Sequence, residues 1–305
     1  MQCVVCSTPQ SQGLTDWHTC CTACGYEGAA LAVKINAKRD GAAVDELERE
    51  VGLKSLRQEN FRDILHVVRK HAQPQARRLL DVGCAHGWFL ETAKEYFDVM
   101  GIEPDAVVGN RTASRGLPVR PGYFPDALAP DESFDVIVFN DVIEHIPDIA
   151  AALDACRARL SENGLLVLNL PNSRGFFYRL STIFARLGWH NPFNRLWQKD
   201  LPSPHVHYFN PRNLQLLVAR HGFAGVYSGQ LPSLRAKGLF ERIRCTGDIS
   251  GWSLYLQYFA VLCSIPVLSA FPSDVMFCVF RKTNSGAALP EVSGKNTSKI
   301  IPHII

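Results

Sequence analysis

At 305 residues, with 47% hydrophobic and 20% charged side chains, the chain has the composition of a globular protein large enough for one sizeable core and a small appendage. A formal charge of +3, with no block of five basic residues, gives no electrostatic ground for expecting nucleic acid as a partner. Five of the ten cysteines fall within the first 24 residues, which argues for metal ligation over a spread disulfide framework.

Those cysteines set the first element. Cys3-Val4-Val5-Cys6 and Cys21-Thr22-Ala23-Cys24 are two CxxC knuckles separated by 14 residues, the spacing of a zinc ribbon with four thiolate ligands. Cys20 competes with Cys21, but only Cys21 leaves a two-residue gap before Cys24. Four thiolates close the coordination sphere, so the expected zinc is structural. Redox-active or merely buried thiols are the other reading, disfavoured because no thioredoxin-like strand and helix follow. The first residues also lack a charged leader followed by an apolar core, so a cytoplasmic location, with contact at the inner face of the membrane, is expected.

From 40 to 72, Val44, Leu47, Val51, Leu53, Leu56, Phe61, Ile64, Leu65 and Val68 recur at intervals of mostly three and four, with charges between them. That periodicity predicts one or two amphipathic helices covering the sheet edge, ended by Gln73-Pro74-Gln75.

LLDVGCAHGWFLE, 79–91, then organises the rest. An apolar run ends in Asp81, a turn of small residues follows, and a helical pattern begins. Gly83, Ala85 and Gly87 allow a tight bend and close approach of the backbone to a ligand. About twenty residues on, VMGIEPD ends a second strand in Glu103, where a ribose-binding acid is expected. A dinucleotide fingerprint would need a small residue at 88; Trp88 stands there and would block the close helix packing.

The loop resembles that of the class I S-adenosylmethionine-dependent methyltransferases, and the resemblance continues in order through FDVIVFNDVIEHIPD, GLLVLNLPN and HVHYFNPRNLQLLVARHGF, covering roughly 79–223. Two positions depart from the pattern: Ala85 replaces the middle glycine, and Tyr123 stands where many relatives carry an acid near the adenine. The resemblance implies an α/β fold: a doubly wound, mostly parallel seven-stranded sheet, Rossmann-like, here with a small N-terminal zinc knuckle. Strands are expected over 79–82, 99–103, 119–120, 136–140, 165–170, 226–229 and 274–281, the last antiparallel. Helices are expected over 89–97, 106–115 and 153–160, the last closed by Asn163-Gly164, with a further helix ended by Gly222. The domain pattern is then a ribbon over 1–33, a helical cap over 34–78, the methyltransferase domain over 79–282 with insertions at 174–204 and 231–273, and a disordered tail over 283–305. Asn296-Thr297-Ser298 in that tail reads as a chance sequon.

By the same resemblance, Asp81, Gly83, Ala85 and Gly87 wrap the amino-acid end of S-adenosylmethionine, Glu103 meets the ribose and Asn140 lies near the sulfonium. Methyl transfer to oxygen or nitrogen also needs a proton acceptor, for which a histidine is suited. The candidates are His145, His205 and His207, with His207 preferred and at most one of the last two facing the methyl group. Each has a structural alternative, capping a helix or bonding a carbonyl. Glu144 either orients a base or is a first-turn helix charge.

The insertion over 174–199 mixes arginines with aromatic residues, as a lid packed by its aromatic face or as a helix lying on a membrane. The stretch 249–272 has no charge, but Pro266, Pro272 and Gln257 make it too short to span. A buried or interfacial helix, or a homodimer contact, is expected there. The function these features imply is methyl transfer to a small-molecule, glycan or lipid-linked acceptor. A nicotinamide-dependent oxidoreductase and a non-catalytic zinc- and nucleotide-binding module are the alternatives.

Overall fold

A computed structural model describes residues 1–34, 46–244 and 251–283, with side chains from residue 52 onward in the first helix. The expected tail beyond 283, its sequon, Val44 and the side chains of Leu47 and Val51 lie outside the described residues.

Strands β1 (Ser11–Gln12), β2 (His18–Cys20) and β3 (Glu27–Ala29) build the ribbon, and helix α1 (Glu46–His71) follows as one continuous element. The alternating domain runs β4 (Arg78–Val82), α2 (Trp88–Ala93), β5 (Asp98–Glu103), α3 (Ala106–Ala113), β6 (Val119–Pro121), β7 (Phe134–Asn140), a 3-10 turn at Ile143–His145, α4 (Ile149–Arg159) and β8 (Leu160–Pro171). Then come α5 (Phe176–Arg186), α6 (Asn191–Leu196), β9 (His207–Tyr208), α7 (Pro211–Arg220), β10 (Phe223–Leu231), α8 (Leu239–Arg244), α9 (Trp252–Leu268) and β11 (Val275–Lys282).

Seven strands form one sheet in the order β10-β11-β8-β7-β4-β5-β6. The five from β8 to β6 are parallel, and β11 inserts antiparallel between β8 and β10, as expected. Alternation along the central strands divides two cores. Leu79, Val136, Val138, Val167 and Phe277 face α1 and α2; Leu80, Ile137, Phe139, Leu168 and Met276 face α4 and α7. Thus α1 covers a face of the sheet as well as reaching the β10 edge.

Local sequence explains most boundaries. Asp105 caps α3 by accepting from the amides of Val107 and Val108, and Asn210 with Asn213 makes a reciprocal capping box ahead of Pro211 at the start of α7. Asn163-Gly164 does not close α4. That helix stops at Arg159, and Asn163, at φ +59°, takes up an irregularity where β8 begins to pair with β7. An Asn-Gly signal marks positive φ equally well at a strand irregularity and at a helix end.

The ribbon is not an appendage. β9, from the far side of the chain, is the fourth strand of its sheet, with Glu27 opposite Tyr208 and Gly28 opposite His207. Arg220 of α7 donates to the Val5 carbonyl (2.7 Å), and Cys3, Cys21 and Tyr26 share a core with Leu214 and Leu217. On its other side Trp17 packs with Tyr178, Phe193 and Trp197 of the α5–α6 insertion, while the Tyr178 hydroxyl donates to Glu27 (2.7 Å). The aromatic face of that insertion therefore packs inward, against the ribbon.

Candidate active site and metal centre

The bend after β4 is made by Gly83 (φ +70°), Ala85 (φ +43°) and Gly87 (φ +69°). A Cβ on Gly83 would lie 2.6 Å from Val142, and one on Gly87 2.6 Å from Leu117 and Thr112, so both glycines are required by position as well as by φ. Ala85 holds the left-handed conformation despite its methyl group, fixed by Glu103, which accepts from its amide (2.9 Å), and by Thr112, which donates to its carbonyl (2.8 Å).

Glu103 also accepts from the Asp105 amide (2.9 Å). Each of its carboxylate oxygens keeps a lone pair, so a diol could still donate to it. Burial pushes its carboxyl above the usual range. Asp81 is buried at the carboxyl end of β4 and accepts from Asn140 (3.2 Å), whose own carbonyl accepts from Asn169 (3.4 Å). Three neighbouring strand ends are thereby tied by side chains. Burial pushes Asp81 up to about 8, partly countered by the Asn140 bond. A buried, protonated acid beside a tight glycine bend suits a ligand that brings its own positive charge. Tyr123, half exposed beyond β6, follows Gly122, whose amide donates to the Glu103 carbonyl (3.1 Å).

The loop after β7 closes over this bend through Val142. There Glu144 is fully buried, and neither carboxylate oxygen has a hydrogen-bond partner. Burial and the nearby Asp141 charge push its carboxyl well above the ordinary carboxylate value. It is thus not a solvated first-turn charge. Asp141 is instead paired with Arg57 of α1 (3.1 Å).

His145 and His205 lie beside Glu144, their rings 4.7 Å apart and ligand atoms of all three within 4.8 Å of one another. His145 donates from Nδ1 to the Pro204 carbonyl (2.9 Å), which leaves Nε2 as its lone-pair nitrogen. Burial lowers its pKa. His205 accepts at Nε2 from Gln198 (2.9 Å), placing its proton on Nδ1, which is buried without a partner; burial takes this ring down to about 3.

His207, the preferred base on sequence grounds, is placed elsewhere. Its Nε2–H donates to the Ile146 carbonyl (2.9 Å) and its Nδ1 accepts from the Tyr26 hydroxyl, so both nitrogens are committed to the seam with the ribbon. Burial lowers it to about 4. A base needs a free lone pair within reach of the acceptor, and His207 has none. Pairing of an extended segment with a remote strand leaves no local signal, so the sequence could not distinguish His207 from His205.

A family model described as a methyltransferase domain matches residues 53–228. The chain belongs to the class I S-adenosylmethionine-dependent methyltransferases. The nicotinamide-dependent oxidoreductase considered from sequence is thereby set aside. This methyltransferase is 33% identical over 129 residues to a ubiquinone biosynthesis O-methyltransferase of Paramagnetospirillum magneticum, covering 40% of this chain and 52% of that protein. It is 26% identical over 183 residues to the protein of the same name from Rhodopseudomonas palustris strain HaA2, covering 56% and 67%. In most such matches the methyltransferase spans about half the length of the curated relatives. Its fold is shared with a SAM-dependent methyltransferase from Archaeoglobus fulgidus (TM-score 0.50, 16% identity, 78% of this chain and all of that one) and with one from Thermotoga maritima (0.51, 16%, 79% and 96%).

In the ribbon, the thiols of Cys3, Cys6, Cys21 and Cys24 converge within 4.8 Å, with Cys3–Cys24 at 3.6 Å and Cys6–Cys21 at 3.5 Å. A tetrahedron with metal–sulfur bonds of about 2.3 Å has sulfur–sulfur edges of about 3.8 Å, so the set fits one such ion. The two knuckles repeat one backbone pattern. Ser7 and Gly25, both at positive φ, donate to the carbonyls of Cys3 and Cys21, whose own amides donate to Thr8 and Tyr26. Cys20 lies outside the set, on β2.

Proposed function

We propose that this methyltransferase transfers the methyl group of S-adenosylmethionine to a hydroxyl oxygen of a small-molecule acceptor, with His145 as the proton acceptor and a structural zinc in the four-cysteine ribbon. S-adenosylmethionine, when bound, supplies an electrophilic methyl carbon on a sulfonium with a neutral thioether as leaving group. Asp81, Gly83, Ala85, Gly87, Glu103 and Asn140 are the residues that would hold it.

The observation that carries the reading is the tautomer of His145. Its Nδ1–H is spent on Pro204, so Nε2 is a neutral base in the 3-10 turn that follows β7. With the cofactor bound, the acceptor hydroxyl would give its proton to His145 Nε2 as its oxygen takes up the methyl group and the neutral thioether departs. Burial lowers the pKa of the ring against the opposing Asp141 charge, which keeps the lone pair available over a wide pH range. Aligning oxygen, carbon and sulfur in a water-poor pocket supplies much of the remaining rate. The names of the curated relatives support oxygen as the methylated atom.

A screen of phenols, saccharides and polyprenyl-linked hydroxyl compounds, read by mass spectrometry, tests the acceptor class. At least one hydroxyl compound should gain a methyl group. Methylation confined to amines or thiols would overturn the assignment. His145→Asn should lower kcat by roughly 10²- to 10⁴-fold with unchanged affinity for S-adenosylhomocysteine; an unchanged rate removes it as base.

A further inference from the structure

We infer that α9, together with the basic outer face of α5, docks this protein onto an anionic lipid surface. This does not depend on the acceptor being lipid-linked.

Helix α9 contains no Asp, Glu, Lys or Arg along its 17 residues, and it is apolar on both sides. One side is satisfied: Leu254, Tyr258, Val261, Leu262 and Ile265, at helical spacing, pack on Leu239 and Ile243 of α8. The opposite side repeats the spacing with Trp252, Tyr255, Leu256, Phe259, Cys263 and Val267, and all of these are exposed. Trp252 is 90% exposed, Leu256 73% and Phe259 56%, values that belong to side chains with no described residue packed over them. Such a contiguous apolar row on a globular protein marks an interaction surface.

The neighbouring element indicates the occupant. The chain leaving α9 meets the start of α5, where the Phe176 amide donates to the Pro272 carbonyl (2.9 Å) and the rings of Phe176 and Phe271 lie 4.6 Å apart. Helix α5 turns its aromatic face inward onto the ribbon but leaves Ile183, Leu187 (79% exposed) and Trp189 outside, interleaved with exposed Arg174, Arg179 and Arg186. No acid occurs between 174 and 199. A second copy of the chain would bring like charges together across this face, whereas anionic headgroups complement it. Trp and Tyr on an uncharged helix suit the headgroup boundary. No described helix is long and apolar enough to cross a bilayer, so α9 would lie in the interface plane.

The test is co-sedimentation of the full chain with vesicles of phosphatidylglycerol and phosphatidylcholine, against phosphatidylcholine alone. Binding should require the anionic lipid, weaken with salt, and shift tryptophan emission to the blue, because Trp252 and Trp189 are exposed whereas Trp17, Trp88 and Trp197 are buried. Leu256→Glu with Phe259→Glu should weaken vesicle binding roughly tenfold or more, and Arg179→Glu with Arg186→Glu roughly thirtyfold. Both pairs should keep the circular dichroism spectrum and affinity for S-adenosylhomocysteine. Failure of the wild type to bind anionic vesicles at low salt, or equal binding by both variants, overturns the inference. So does a dimer that Leu256→Glu with Phe259→Glu dissolves in the absence of vesicle binding. Affinity for S-adenosylhomocysteine and activity on a soluble acceptor report separately on the proposed function.

Discussion

In the proposed cofactor site, Asp81 and the bend beside it would make the pH behaviour of binding a matter of single residues. With its carboxyl pushed up to about 8 by burial, Asp81 is protonated in the free protein at neutral pH. Its folded pKa lies above its unfolded value, so its burial is tolerated below about pH 4 and becomes more costly as pH rises toward 8. A bound cation reverses this by favouring the ionised form. Affinity for S-adenosylmethionine should therefore rise between pH 6 and 8, with a proton released on binding; calorimetry in buffers of different ionisation heat measures it, and Asp81→Asn should abolish the release. Gly83→Ala should cost about 1–3 kcal/mol, through the left-handed φ and the Val142 contact, and should weaken S-adenosylhomocysteine binding in a thermal-shift assay. The loop, Glu103 and the four cysteines were legible because each is a local spacing with a physical reason. The raised carboxyl pKa of Asp81 and of Glu144 was not, because desolvation depends on what the rest of the chain packs above them.

Strand β9 is the element whose role the sequence concealed. HVHYFN has the polar–aromatic alternation of a site segment, and in the fold it shares itself between two tasks. His205 faces the Glu144–His145 cluster, whereas His207 and Tyr208 join the ribbon. Tyr26→Phe and His207→Ala should each destabilise the protein by about 1–3 kcal/mol, and their effects should be strongly non-additive in urea unfolding because they break one shared contact. His207 adds a pH signature. Its folded value of about 4 lies below the unfolded 6.5, so its contribution is complete above about pH 6.5 and is lost as pH falls toward 4. Removing it should flatten stability across that window. Helix α4 and β8 show the converse limit: their existence was plain from hydrophobic pattern, but the boundary at Asn163-Gly164 was set by pairing with β7.

Across the whole molecule, the parallel sheet followed from the alternation of apolar runs and helical patterns and the antiparallel last strand from the family resemblance, whereas the incorporation of the ribbon into the catalytic body followed from neither. Two cores meet around it, and it contacts both α7 and the α5–α6 insertion. The proposed zinc should therefore be integral to global stability. One zinc per chain is expected by elemental analysis. Its removal by a chelator should lower the melting temperature of the entire protein in a single transition, a loss on the order of several kcal/mol, with no separate melting of an N-terminal module. The Tyr26–His207 contact joins residues 181 positions apart. During synthesis the metal-binding end thus leaves the ribosome long before the strand that completes its sheet. Until β9 arrives, the outer edge of β3 is an open template for any passing strand, and newly made chains would be most prone to stick to one another during that interval.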